Sequence, residues 1–133
     1  MNALNWVNDY LFRVRYLDGG RGPVEYDCWG LVREARHLYC GQRLLPSWGE
    51  VRNTNPRAFT KAYRAEAEKM EECKPEHGAI AAVFVSELCV HVGLVVSDRG
   101  RLWVLEINKA TGIKWHRLVE FEAQYLKVIY YRD

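Results

Sequence analysis

Residues 26–32 read YDCWGLV, an acidic residue, a cysteine and then an apolar run, at the point where loop-like sequence gives way to helical periodicity. Asp27 has the chemistry of an N-cap, because a short carboxylate can accept one of the unpaired N–H groups of a first turn. Cys28 then occupies that first turn. Trp29, Val32, Ala35 and Tyr39 follow on one helical face, and Gly41 stands where a C-cap glycine would. Upstream, residues 16–26 (YLDGGRGPVEY) hold three glycines and a proline in eleven positions, which predicts a loop. Before it, Leu4, Val7 and Leu11 recur at helical spacing and predict a short amphipathic helix over residues 3–12.

Downstream of the cysteine helix, residues 42–54 carry no clear period and include Pro46. Asn55-Pro56 restarts a helix, since proline is tolerated at a first helical position. Phe59, Ala62, Tyr63 and Met70 mark its buried face, and Lys74-Pro75 is expected to end it. From residue 79 the rhythm becomes that of strands, expected at 79–85, 89–96, 102–108, 112–117 and 125–131. The joints SDRGR and KATG have turn chemistry, and the even spacing suits an antiparallel meander. Helices first and strands afterwards predict an α+β fold in one domain over residues 1–133. Its N-terminal helices are expected on one face of an antiparallel sheet of about five strands.

The 133 residues are enough for one proper core, and 49% apolar with 27% charged is ordinary globular composition. The 19 basic and 17 acidic residues are interspersed and sum to +2, so no nucleic-acid footprint is read. Ala79–Val85, the longest apolar run, is far too short to span a bilayer. The opening MNALNWVNDY has no basic n-region and no cleavage site; synthesis in the cytoplasm without a signal peptide is the expectation. Cys28, Cys40, Cys73 and Cys89 are widely spaced with no CxxC pair, which argues against zinc and leaves four free thiols as the default.

A thiol attacks as thiolate, and a helix N-terminus favours that anion through its dipole and free N–H groups. Cys28 is therefore placed where a reactive cysteine would be, although a cysteine at such a position is more often only a small apolar residue. A nucleophilic cysteine also needs a histidine to take its proton and a third group to orient that histidine. Among His37, His77, His91 and His116, His91 lies in an otherwise apolar strand (CVHVGLVV), with Gly93 two residues on, leaving space beside the imidazole. His37 sits mid-helix among charges and reads as solvated. His77 and His116 fall near strand ends and stay open. Cys40, Cys73 and Cys89 read as packing or surface thiols.

The stretch YLDGGRGPVEYDCWGLV resembles the nucleophile motif of the NlpC/P60 cysteine peptidases, Y-x-x-G-G followed by D-C-S-G-L-V. HVGLVV is similar to the family's second motif, a strand histidine with glycine two residues later. The resemblance spans about residues 2–118, and tryptophan after the cysteine is most like the short phage and prophage proteins associated with tail assembly. It implies a papain-like fold and hydrolysis of amide bonds in peptidoglycan stem peptides, with no metal or organic cofactor. Cys28 matches the nucleophile, His91 the general base and Tyr16 the tyrosine that helps line the oxyanion site. Asp27 matches the acid before the cysteine and serves as cap and support. Trp29 replaces the usual serine and is expected to narrow the space beside the thiol. Phage tail proteins are implied as partners, and the virion or a lysis pore as the route to the cell wall.

The third catalytic member is where the chain departs from its relatives, which usually carry a histidine on the next strand. Here that strand reads LWVLEIN. Alternation puts Trp103, Leu105 and Ile107 on one face and Leu102, Val104, Glu106 and Asn108 on the other. Glu106 falls closest to the family's third position, with Asn108 one pleat further as the alternative. Two other functions stay open: a non-catalytic tail or assembly module that keeps the fold, and an amidase or acyltransferase using the same dyad.

Overall fold

The computed structural model describes residues 3–133, with positions 1 and 2 outside the described residues. The first helix, α1 (Leu4–Arg13), buries Val7 and Tyr10. A short parallel pair follows, β1 (Arg15–Tyr16) with β2 (Glu25–Tyr26), closing the glycine-rich loop upon itself. Next come α2 (Cys28–Cys40) and α3 (Pro56–Ala67). The cap expected at Asp27 is in place, its side chain accepting from Gly30 N–H, and Asn55 caps α3 by accepting from Ala58 N–H. Gly41 ends α2 at φ 67°, a left-handed conformation that glycine adopts without a Cβ penalty.

The third helix is shorter than its apolar pattern suggests. It ends at Ala67, and the chain then forms an edge strand, β3 (Glu71–Cys73), before Lys74-Pro75. Met70 lies outside the helix and packs against the core from there. Four strands then run as expected: β4 (Ile80–Val85), β5 (Leu88–Asp98), β6 (Arg101–Asn108) and β7 (Gly112–Arg117). A six-residue helix, α4 (Leu118–Ala123), follows before β8 (Lys127–Arg132).

The sheet is antiparallel with six strands in the order β3-β8-β4-β5-β6-β7, so only β4 to β7 form a meander. The return of β8 to the far side of β4 requires the chain to cross the sheet, and α4 makes that crossing. Strand alternation sorts the core into two layers. Ile80, Ala82, Phe84, Val92, Leu94, Leu105 and Ile107 join the layer under α1 and α2. Ala81, Val83, Val95, Val104 and Tyr130 face the other way and are covered by Phe121 of α4. The helices are therefore not confined to one face. The three long ones share a face, and the short fourth covers the opposite one.

Candidate active site

Pairing between β5 and β6 runs from Asp98–Arg101 only as far as Leu94–Leu105. Beyond it β5 keeps its partner β4, with Ala82 opposite Val92 and Val83 opposite His91, while β6 keeps β7. The two strands thus part at residues 93 and 106, and the backbone edge of β5 in that gap has no strand partner. The buried Cys28 thiol lies near this edge, where the backbone N–H groups of Val92 and Trp29 favour its anion. The cysteine comes from the helix side, whereas His91 and Glu106 point to the α4 side. The strands part between these two sides.

Cys28 is 1% exposed. Burial pushes its thiol well up and the Asp27 carboxylate adds to this, against the two N–H groups that favour the anion. Burial thus opposes the preference for the anion that a first-turn position supplies.

His91 Nε2 meets Glu106 Oε1 at 2.7 Å, while His91 Nδ1 is buried without a hydrogen-bond partner. The proton on Nε2 leaves Nδ1 with its lone pair free, the tautomer a general base needs. Glu106 is 1% exposed and fully occupied. Its Oε1 also accepts from the Tyr125 hydroxyl at 2.9 Å, and its Oε2 accepts from His116 Nε2. Burial pushes this carboxyl up, but hydrogen bonds from His91, Tyr125 and His116, with the His91 charge, outweigh it and hold the group below the ordinary carboxylate value. Asn108 is elsewhere: its Oδ1 accepts from Thr111 N–H at 2.9 Å and caps the β6–β7 turn. Of the two candidates on that strand, only Glu106 touches His91.

Gly93 has a different neighbour from the one expected. A Cβ there would lie 2.9 Å from Val104 Cγ1 and 3.4 Å from Phe121, so the space it leaves admits the α4 layer. His91 instead has the Tyr125 ring beside it, centroids 6.0 Å apart.

Asp27 is committed to the scaffold. Oδ1 accepts from Gly30 N–H at 2.8 Å and Arg21 Nη1 at 2.7 Å, and Oδ2 from Gly19 N–H at 3.1 Å. A Cβ on Gly30 would overlap the Gly20 carbonyl oxygen, so the helix start and the glycine loop can approach only as they do without a side chain there. Arg21 continues outward to the carbonyls of Ser47 and Trp48, fastening residues 42–54 to the cysteine loop.

The Tyr16 hydroxyl donates to Asp18 and lies 3.2 Å from Asn53 Oδ1. Burial raises its pKa, with Asp18 and the neighbouring Cys28 adding to the effect, so it stays protonated. An oxyanion here would compete with Asp18 for its single proton. Trp29 places its indole N–H on the Pro46 carbonyl at 2.9 Å and walls an apolar pocket shared with Trp48, Phe59, Tyr63 and Val92.

His37 is exposed and bonded to the Gln42 carbonyl, and His77 Nδ1 accepts Ser97 N–H. Neither is at the site. His116, left open by the sequence, is at it, as is Tyr125, which no sequence signal singled out. Pairing of β7 with β6 could have found the first: Val104 lies opposite His116 and shares the alternate face of Glu106. His91 and His116 both turn Nε2 onto Glu106, and no group of three His, Cys, Asp or Glu side chains among the described residues is arranged to hold a metal ion. Among those residues no helix is long and apolar enough to cross a membrane. No family model matches the chain, and neither a curated protein nor a solved structure matches it.

Proposed function

We propose that the protein is a cysteine hydrolase of the papain-like NlpC/P60 type, acting on amide bonds of peptidoglycan stem peptides. The observation that carries this reading is the state of His91. One nitrogen is held by Glu106, and the other is buried and free, one residue from the strand N–H that meets the Cys28 thiol. In this scheme Nδ1 takes the thiol proton as sulfur attacks the amide carbonyl, and Glu106 stabilises the imidazolium. The oxyanion is held by the Cys28 backbone N–H, free as a first-turn donor, with the Tyr16 hydroxyl turning from Asp18 to assist. The imidazolium then protonates the leaving amine, and water activated by the same nitrogen releases the acyl group from sulfur. Because the resting thiol is neutral, proton transfer accompanies attack. The apolar pocket shared by Trp29 and Val92 suits a small uncharged side chain next to the scissile bond.

A second reading is favoured by the burial of Cys28 and the engagement of Tyr16 with Asp18: a tail or assembly module that keeps the fold without the chemistry. Alkylation by iodoacetamide at near-neutral pH, mapped over all four cysteines by peptide mass analysis, separates the two. The hydrolase reading expects Cys28 to react fastest, through His91, despite its burial. Labelling of Cys40 and Cys73, the two half-exposed thiols, ahead of Cys28 would support the module.

A further inference from the structure

Glu106 bridges two histidines, and only one of them, His91, has a buried ring nitrogen without a hydrogen-bond partner. His116 lies on β7, diagonal to Glu106 across the β6–β7 pair, with its side chain 12% exposed. Its Nε2 is on Glu106 Oε2, and its Nδ1 lies 3.3 Å from Gln124 Nε2. The amide N–H of Gln124 donates to Nδ1, which leaves the ring proton on Nε2, where it serves Glu106. Gln124 is itself held by the Glu120 carbonyl at 3.4 Å, within α4. The Phe121 ring packs edge-on to the imidazole, centroids 6.0 Å apart. The other groups facing Glu106 are His91 and Tyr125; Lys114, its register partner on β7, is exposed and forms no ion pair with it.

A carboxylate with donors on one oxygen only can rotate, or turn its second oxygen into the gap between β5 and β6. With His116 on the far oxygen, the carboxylate plane is fixed and Oε1 is left to His91 and Tyr125. We propose that His116 is a positioning residue of this site, holding Glu106 so that Glu106 in turn holds His91 in its base-competent tautomer. Gln124 of the crossover helix sets the tautomer of His116. The α4 crossover thereby becomes part of the site's support, reaching the thiol through Gln124, His116, Glu106 and His91. The inference rests on the Cys28–His91 reading above and adds to it a residue that does not touch substrate.

The test is the pH dependence of Cys28 alkylation by iodoacetamide in the full chain, compared for wild type, His91→Ala, His116→Ala, His116→Gln and Gln124→Ala. Folding of each variant is checked by its thermal transition. His116→Ala is expected to slow Cys28 labelling roughly tenfold and to shift the midpoint of the pH profile. His116→Gln, whose amide can still donate to Oε2, should recover most of the rate. Gln124→Ala, at an exposed position, should lose about two- to threefold. If His116→Ala fails to fold, the Gln124→Ala and His116→Gln profiles decide: a loss in the first and near-wild-type behaviour in the second sustain the relay. A His91-dependent rate that is unchanged in His116→Ala, or equally poor in His116→Gln and His116→Ala, overturns the relay alone. A wild-type rate in His91→Ala overturns the Cys28–His91 pairing and the relay with it.

Discussion

His91 and Glu106, fifteen positions apart on neighbouring strands, meet at 2.7 Å where those strands have ceased to pair. The gap leaves the edge of β5 without a strand partner on the Cys28 side, while His91 and Glu106 share the α4 face. One irregularity in the sheet thus lies beside both the buried thiol and the His91–Glu106 pair.

Glu106→Ala should slow turnover by about 10²-fold, while Asn108→Ala should leave it within a factor of about two. Both are read in one peptide-hydrolysis assay. The carboxylate orients His91, whereas Asn108 serves only the β6–β7 turn. Equal losses in the two variants would contradict the assignment. Glu106 is held below the ordinary carboxylate value, so its contribution to stability is fully present above that value. The contribution is lost as pH falls through the lower folded value. Acid unfolding of Glu106→Gln should therefore lack that component.

His91→Ala should cost about 10³-fold in turnover, and His37→Ala nothing measurable. The first removes the buried, unpaired imidazole nitrogen that the proposed mechanism uses as base; the second removes an exposed ring bonded to a loop carbonyl. A greater loss in His116→Ala than in His91→Ala would move the base to the later strand.

Gly30→Ala should destabilise the fold by about 1–3 kcal/mol, measured by urea unfolding, because the new methyl would overlap the Gly20 carbonyl. Gly41→Ala, whose Cβ would meet nothing but whose φ is positive, tests backbone conformation without a clash and should cost about 1 kcal/mol. Equal stability of Gly30→Ala and wild type would show that the glycine loop can withdraw from the helix start.

Much of this arrangement was legible in the chain because its signals are local. Asp27, Asn55 and Gly41 cap where their side chains and conformations dictate, and the alternation of LWVLEIN put Glu106 on the His91 side of the sheet. What escaped was non-local. A six-residue helix is too short to show a period, so the crossover at Leu118–Ala123 and the return of β8 beside β4 could not be read. The strand Glu71–Cys73 was hidden in what looked like helix, because only its pairing with β8 makes it a strand. His116 and Tyr125 joined the site through those same long-range contacts. The neutral state of Cys28 likewise depends on burial, which the first-turn position did not reveal.

Alkaline conditions should weaken the fold. Burial raises the pKa of Cys28 and takes Cys89 from 9.0 up to about 12. A group raised on folding contributes fully below its unfolded value and loses that contribution as pH climbs toward its folded one. Stability should therefore fall from about pH 9 upward, by at most ~1.4 kcal/mol per pH unit for each thiol. Cys89→Ala should make that slope shallower between about pH 9 and 10, before tyrosines ionise. Urea midpoints across this range check it; a flat profile in the wild type would show that the two thiols are not buried as described.

The most direct measurement is digestion of purified stem peptides by the wild-type protein and by Cys28→Ala, with mass analysis of the products. The account predicts fragments whose masses sum to the peptide plus one water, from one bond, in the wild type only. In the Cys28→Ala reaction the peptides should remain intact although the protein is folded. Intact peptides with the wild type, or the same fragments at the same rate with Cys28→Ala, would contradict it.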